Sequence, residues 1–114
     1  MTLISEIAKF AAMKSVTRVF KALADPTRRQ ILQELKDGEL SAGEIVAQFP
    51  ISGPSISRHL SILKGADLVA ERREGNKIVY RLEPEQVAGV VGDFLSAVCP
   101  TQVLRNRKRL RSKS

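Results

Sequence analysis

The chain has little of what disulfide-bonded, zinc-binding and membrane proteins depend on. Its 114 residues include one cysteine, Cys99, one histidine, His59, and no tryptophan. A single cysteine excludes a disulfide within the chain and a cysteine-based zinc finger. No apolar run approaches the roughly 20 residues that cross a bilayer, and Glu6 and Lys9 interrupt the apolar stretch near the start. We therefore expect a soluble cytoplasmic protein without membrane insertion.

The patterns that mark enzymes are missing as well. The sequence contains no glycine-rich phosphate-binding loop and no paired catalytic carboxylates, and no base lies near Cys99 along the chain. We predict that the protein is not an enzyme and that it needs no cofactor.

Positive charge is abundant but unevenly placed. The net charge is +7, and residues 105–114 (RNRKRLRSKS) carry six positive charges and no acid, so the other 104 residues carry a net charge of +1. Such runs are commonly solvated and disordered. We expect residues 100–114 to be a flexible basic tail and residues 1–13 to be a helical N-terminal extension.

Between these ends, residues 14–99 show the periodicity of several helices. Asp25 and Pro26 suit the start of a helix, and Ser41 and Glu44 have the spacing of a capping box before a short helix. Pro54 begins a helix that ends at Gly65, and the last helix lies between two further prolines. Each of these segments carries apolar residues at helical spacing.

A β-hairpin is predicted after the fourth of these helices. The β-prone runs LVAERR and KIVYRL flank EGN, where Gly75 can take positive φ. The order is helix, helix, short helix, turn, helix, hairpin, helix. It predicts a mainly α fold with a small β-hairpin, a winged helix-turn-helix.

The helix in "GPSISRHLSIL" has an unusual outer face. Ile56, Leu60 and Leu63 fall on one side, and small hydroxyls and Arg58 fall on the other. Short side chains let a helix approach the major groove, where serine and arginine serve as donors to phosphates or base edges. A plain solvated helix is the alternative for this face alone.

Several strings in the same order resemble the ArsR/SmtB family of bacterial winged-helix repressors, and within it the SdpR-like autorepressor branch. They are "VFKALADPTRRQIL", "SAGEIVAQF", "ISGPSISRHLSILKGADLV" and "ERREGNKIVYRL". The resemblance implies a homodimer joined through terminal helices, with two recognition helices in successive major grooves of double-stranded DNA. The DNA-binding residues that it implies are Ser41, Ser55, Ser57, Arg58, His59, Arg72, Arg73, Asn76 and Lys77.

The resemblance stops at the places where many relatives bind metals. Ser41 and Gly43 stand where a Cys-x-Cys pair would lie, and the last helix has no histidine, with Asp93 its only acid after the first turn. We expect no metal at either place.

Three alternatives stay open. Cys99 is either a small buried apolar residue or a redox switch near the twofold axis. The domain is either a DNA-binding repressor or a winged-helix protein-interaction module. The signal that releases DNA is either an unidentified inducer, a sequestering protein or the concentration of the protein itself.

Overall fold

The computed structural model describes residues 2–113, with the side chains of residues 3–107. Six helices surround a small sheet, which confirms the predicted mainly α winged helix-turn-helix. The elements are α1 Thr2–Leu23, α2 Pro26–Leu35, β1 Leu40–Ser41, α3 Ala42–Ala47, α4 Gly53–Gly65, β2 Val69–Glu74, β3 Lys77–Leu82, α5 Pro84–Val98 and α6 Thr101–Lys113.

The predicted helix starts are those of the structure, with one shift. The Asp25 carboxylate accepts a hydrogen bond from the backbone N–H of Arg28 at 3.1 Å and caps α2. Ser41 and Glu44 form the reciprocal capping box at the start of α3. α4 begins at Gly53, one residue before the predicted start, because Ser52 caps it by accepting the N–H of Ser55 at 3.3 Å.

One hydrophobic core holds α1 to α4 and the sheet together. The predicted stripe of α4, formed by Ile56, Leu60 and Leu63, is fully buried and meets Ile31 of α2 and Ile45 of α3. Complete burial of such a side chain stabilises the fold by about 1.5–3 kcal/mol. The stripe therefore fixes which face of α4 points outward.

The sheet has three strands where the sequence predicts two. β2 and β3 form the expected hairpin around Gly75, whose φ is 64°. β1 pairs antiparallel with β3, with Leu40 opposite Tyr80. A strand of two residues has no alternating pattern to detect. This pairing ties the middle of β3 to the start of α3.

Both ends of the chain differ from the sequence expectation. α1 runs without a break across the predicted boundary between residues 13 and 14, because no glycine or proline interrupts residues 2–23. At the other end, residues 101–113 of the predicted basic tail form α6, a helix that the sequence analysis did not predict, and the flexibility of this tail stays a prediction. Arginine, lysine, glutamine and leucine are good helix formers, which accounts for the difference. Within residues 2–113, no helix is long and apolar enough to span a membrane.

Candidate nucleic-acid interface

The outer face of α4 presents the predicted reading residues to solvent. Ser57 and Arg58 are exposed on the side opposite the buried stripe, as is Ser61. Among the residues whose side chains are described, none accepts a hydrogen bond from the Arg58 guanidinium. α3 and the turn that follows it pack beneath α4, so this face projects from the domain on a rigid support.

Ser55 is half-buried at the start of α4, in a different setting from Ser57. Its hydroxyl oxygen accepts a hydrogen bond of 2.9 Å from the hydroxyl of Ser52. The O–H of Ser55 is still available as a donor, because a hydroxyl both donates and accepts. The Ser55 hydroxyl is therefore a donor at the N-terminal end of α4.

His59 lies at the edge of this face and contacts α2. Its Nδ1 is 3.2 Å from a guanidinium nitrogen of Arg28 and 3.9 Å from a carboxylate oxygen of Asp25. Sequence reasoning missed Arg28, because 31 residues separate it from His59 and no local pattern connects the two. The histidine thus joins the recognition helix to the N-terminal turn of α2.

Each face of β2 carries one arginine and one glutamate, but their ion pairs differ. Arg72 pairs with Glu39 and Glu74, and these hydrogen bonds, that to Glu74 foremost, raise the pKa of the Arg72 guanidinium above its ordinary value. On the other face Glu71 accepts from Lys64 of α4 at 2.5 Å, which lowers the pKa of the Glu71 carboxyl. Because successive strand residues alternate in direction, Arg73 shares the α4 side with Glu71.

The wing tip adjoins the start of α3. The exposed residues Asn76 and Lys77 line a groove of about 290 Å³ together with Ser41 and Gly43. Ser41 accepts the N–H of Glu44 through its hydroxyl oxygen at 3.2 Å, which leaves its own O–H as a donor. The structure therefore brings Ser41 next to two of the predicted wing residues.

The structure also describes the residues at the usual metal-binding position of α3 and the single cysteine. Ser41 and Gly43 flank the first residue of α3, and Cys99 is half-buried directly after α5. Within the described part of the chain, no three residues among His, Cys, Asp and Glu come together as a metal-binding group.

Comparisons with known proteins agree with this architecture. The model of the bacterial regulatory protein arsR family matches residues 25–71. The transcriptional repressor SdpR of Bacillus subtilis is 52% identical over 67 residues, which cover 59% of this chain and 74% of that protein. The HTH-type transcriptional regulator Rv2034 of Mycobacterium tuberculosis is 42% identical over 81 residues, covering 71% of this chain and 76% of that protein.

Solved structures give the same result. An ArsR-like transcriptional regulator from Rhodococcus superimposes with a TM-score of 0.70 at 26% identity, covering 91% of this chain and 96% of its own. Mb0332 from Mycobacterium bovis, described as a homodimeric winged helix-turn-helix DNA-binding domain, superimposes with a TM-score of 0.67 at 34% identity, covering 88% and 86%. These relatives are regulators, in agreement with the prediction that the protein is not an enzyme. This chain belongs to the ArsR family of winged-helix DNA-binding transcriptional regulators.

Proposed function

We propose that this protein is a sequence-specific, homodimeric transcriptional repressor that binds an inverted-repeat operator, with its own promoter as the first candidate target. The outer face of α4 carries the proposal. Ser57, Arg58 and Ser61 form a small, polar and positive surface on a helix whose opposite face is locked in the core. A helix of this shape fits the major groove closely.

The candidate contacts divide into two kinds. The Arg58 guanidinium on the reading face has no acceptor among residues 3–107 and is suited to bidentate binding of guanine O6 and N7. Ser57 shares that face and can donate to a base edge or to a phosphate, and the other predicted residues are suited to phosphates. These others are Ser41, Ser55 and His59 on the helix-turn-helix and Arg73, Asn76 and Lys77 on the wing, with Arg72 the weakest of the set because Glu39 and Glu74 already bind it.

The unpartnered apolar surface of the terminal helices supports a homodimer. No side chain of α5 is buried within one chain, and Phe94, Leu95 and Val98 are exposed. The rings of Phe20 in α1 and Phe94 in α5 pack edge to face, with their centroids 5.0 Å apart. This contact joins the two helices into one apolar surface. In a homodimer joined through this surface, two α4 helices related by a twofold axis would require half-sites about 34 Å apart, one turn of DNA.

Release from DNA is proposed to be independent of the usual metal sites. Ser41 and Gly43 offer no thiolate, and α5 offers only Glu85 and Asp93 as acids. An inducer, a sequestering protein or oxidation of Cys99 in the cytoplasm is the candidate signal.

The experiment is selection of bound sequences from a random duplex pool, followed by gel-shift titration at physiological salt. We expect an inverted repeat, bound 10³-fold or more tightly than a scrambled duplex. Arg58→Ala should weaken binding to the selected duplex by about 1–3 kcal/mol and relax selection at its base, while Arg18→Ala on α1 should not.

Three outcomes separate the alternatives. Equal losses for Arg58→Ala on both duplexes would make Arg58 a phosphate contact. Selection of no sequence would favour the protein-interaction module. Titrations with reduced, oxidised and zinc-treated protein test the signal, and loss of binding with zinc would overturn metal independence.

A further inference from the structure

Two neighbouring arginines of α2 close the C-terminal end of α1. Arg28 donates from Nε to the carbonyl of Ala22 at 2.8 Å and from a terminal nitrogen to the carbonyl of Lys21 at 2.9 Å. Arg29 donates to the carbonyl of Leu23 at 2.7 Å. The last carbonyls of a helix lack partners within it, so both guanidinium groups serve as caps.

Only Arg28 also reaches the recognition helix. Its other terminal nitrogen lies 3.2 Å from Nδ1 of His59. An arginine side chain has donors and no acceptor, so Nδ1 must accept and carries no proton in this contact. A neutral imidazole then holds its proton on Nε2, and the hydrogen bond selects this tautomer. Asp25 faces the same Nδ1 at 3.9 Å, beyond hydrogen-bond distance.

The other ring nitrogen of His59 faces outward. No partner within residues 3–107 bonds Nε2, and among these residues no buried side-chain nitrogen or oxygen lacks a partner. Nε2 therefore reaches the surface, on the same helix as Arg58 and one residue away. Its N–H is a donor held at the rim of the reading face.

We propose that Arg28 is a positioning residue for DNA binding, which fixes the tautomer and orientation of His59 so that Nε2–H donates to a backbone phosphate. The inference rests on the proposed function and deepens it. The guanidinium of Arg28 also links the end of α1 to the recognition helix α4. α1 is one of the two helices with exposed apolar side chains in the proposed dimer interface.

The chain offers a matched control for the test. Arg28→Gln and Arg29→Gln each remove one positive charge and the capping hydrogen bonds of one guanidinium to α1, two for Arg28 and one for Arg29, but only the first removes the contact with His59. His59→Asn removes the Nε2 donor and keeps a side chain that can accept from Arg28. Binding of the full-length protein is measured to the selected duplex and to a scrambled duplex across a range of salt concentrations.

We expect Arg28→Gln and His59→Asn each to weaken binding about tenfold on both duplexes, and His59→Asn to leave the salt slope unchanged, because a neutral donor to a phosphate displaces no counterion. The affinity of the double variant should also fall about tenfold rather than a hundredfold, because both substitutions remove the same contact with the phosphate. Arg29→Gln should lose less than twofold. Equal losses for the two arginine variants, or losses that multiply in the double variant, would overturn the positioning role.

The tautomer is measured separately in the DNA-free protein. A two-bond ¹⁵N–¹H spectrum should show His59 protonated at Nε2 in the wild type and in Arg29→Gln, and a tautomer mixture in Arg28→Gln. Protonation at Nδ1 in the wild type would overturn this inference alone. Failure of the wild-type protein to bind any duplex would instead overturn the proposed function.

Discussion

At the scale of single residues, Asp25 couples solution pH to the stability of the helix that supports the interface. The backbone N–H of Arg28 donates to its carboxylate, and this bond is the main reason that the pKa of Asp25 lies below its ordinary value. The positive charge of Arg28 and the backbone N–H of Thr27 act in the same direction. A carboxyl with a lowered folded-state pKa stabilises the fold above its unfolded pKa, and that stabilisation is lost as pH falls through the folded value.

We predict that Asp25→Asn is less stable than the wild type near pH 7 and that the difference shrinks toward zero as pH falls below the ordinary pKa of an aspartate and through the lowered folded-state value. The asparagine still caps α2, but it carries no charge to favour the helix N-terminus. Urea denaturation at a series of pH values measures the difference. Asp37→Asn, in the exposed turn after α2, is the control. A stability gap for Asp25→Asn that stays constant down to acid pH would contradict the linkage.

Residue contacts were predictable from the sequence only where they are local. The caps formed by Asp25 and Ser41 join groups three residues apart, and their spacing is visible in the chain. The contacts of Arg28 with His59 and of Arg72 with Glu39 span 31 and 33 residues. Nothing in the local pattern distinguishes Arg28 from Arg29, so the fold alone assigns them different roles.

At the scale of elements, the strand alternation of β2 separates two arginines that the sequence treats alike. Arg72 is held by Glu39 and Glu74, so its charge is largely neutralised. Arg73 lies on the face that meets α4, with Glu71 already bound to Lys64. Arg73 is therefore the better placed of the two to meet the DNA backbone beside the recognition helix.

We predict that Arg73→Ala weakens binding three- to tenfold on selected and scrambled duplexes alike and lowers the salt slope by about 1. Arg72→Ala should change affinity by less than twofold, because its guanidinium is already bound by Glu39 and Glu74 on the face of β2 that points away from α4. Salt-dependent titrations of both variants make the comparison. A larger loss for Arg72→Ala would show that the ion pairs of Arg72 open when DNA binds.

A helix or strand could be predicted from the sequence where its own residues show an apolar periodicity or a turn signal. α4 and the β2–β3 hairpin have long stripes and a glycine turn, and both lie within a residue or so of their predicted places. β1 was not predicted, because it pairs with β3, a strand that lies far from it in the sequence. α6 was not predicted from the sequence, because a run of positive charge is typical of a solvated tail, although the same residues are good helix formers.

At the scale of the whole molecule, α1 and α5 expose more apolar surface than a monomeric soluble protein ordinarily leaves in contact with water. Leu3, Ile7 and Phe10 of α1 are each about 60% exposed or more, and Val98 of α5 is 60% exposed. Scattered exposed leucines are ordinary, but apolar residues that follow helical spacing on two helices mark an association surface. A second copy of the chain is the occupant in the proposed function.

We predict that Val98→Asp dissociates the dimer at micromolar concentration, because burying an unpaired carboxylate in an apolar interface costs several kcal/mol. Ser96→Asp is the matched control, since residue 96 lies about 200° around α5 from residue 98 and receives the same charge. Sedimentation velocity should show a monomer for Val98→Asp and a dimer for Ser96→Asp. On DNA, the Val98→Asp monomer should bind an inverted repeat little better than a single half-site. A dimeric Val98→Asp, or dissociation by both variants, would place the dimer interface elsewhere and remove the geometric reason for an inverted-repeat operator.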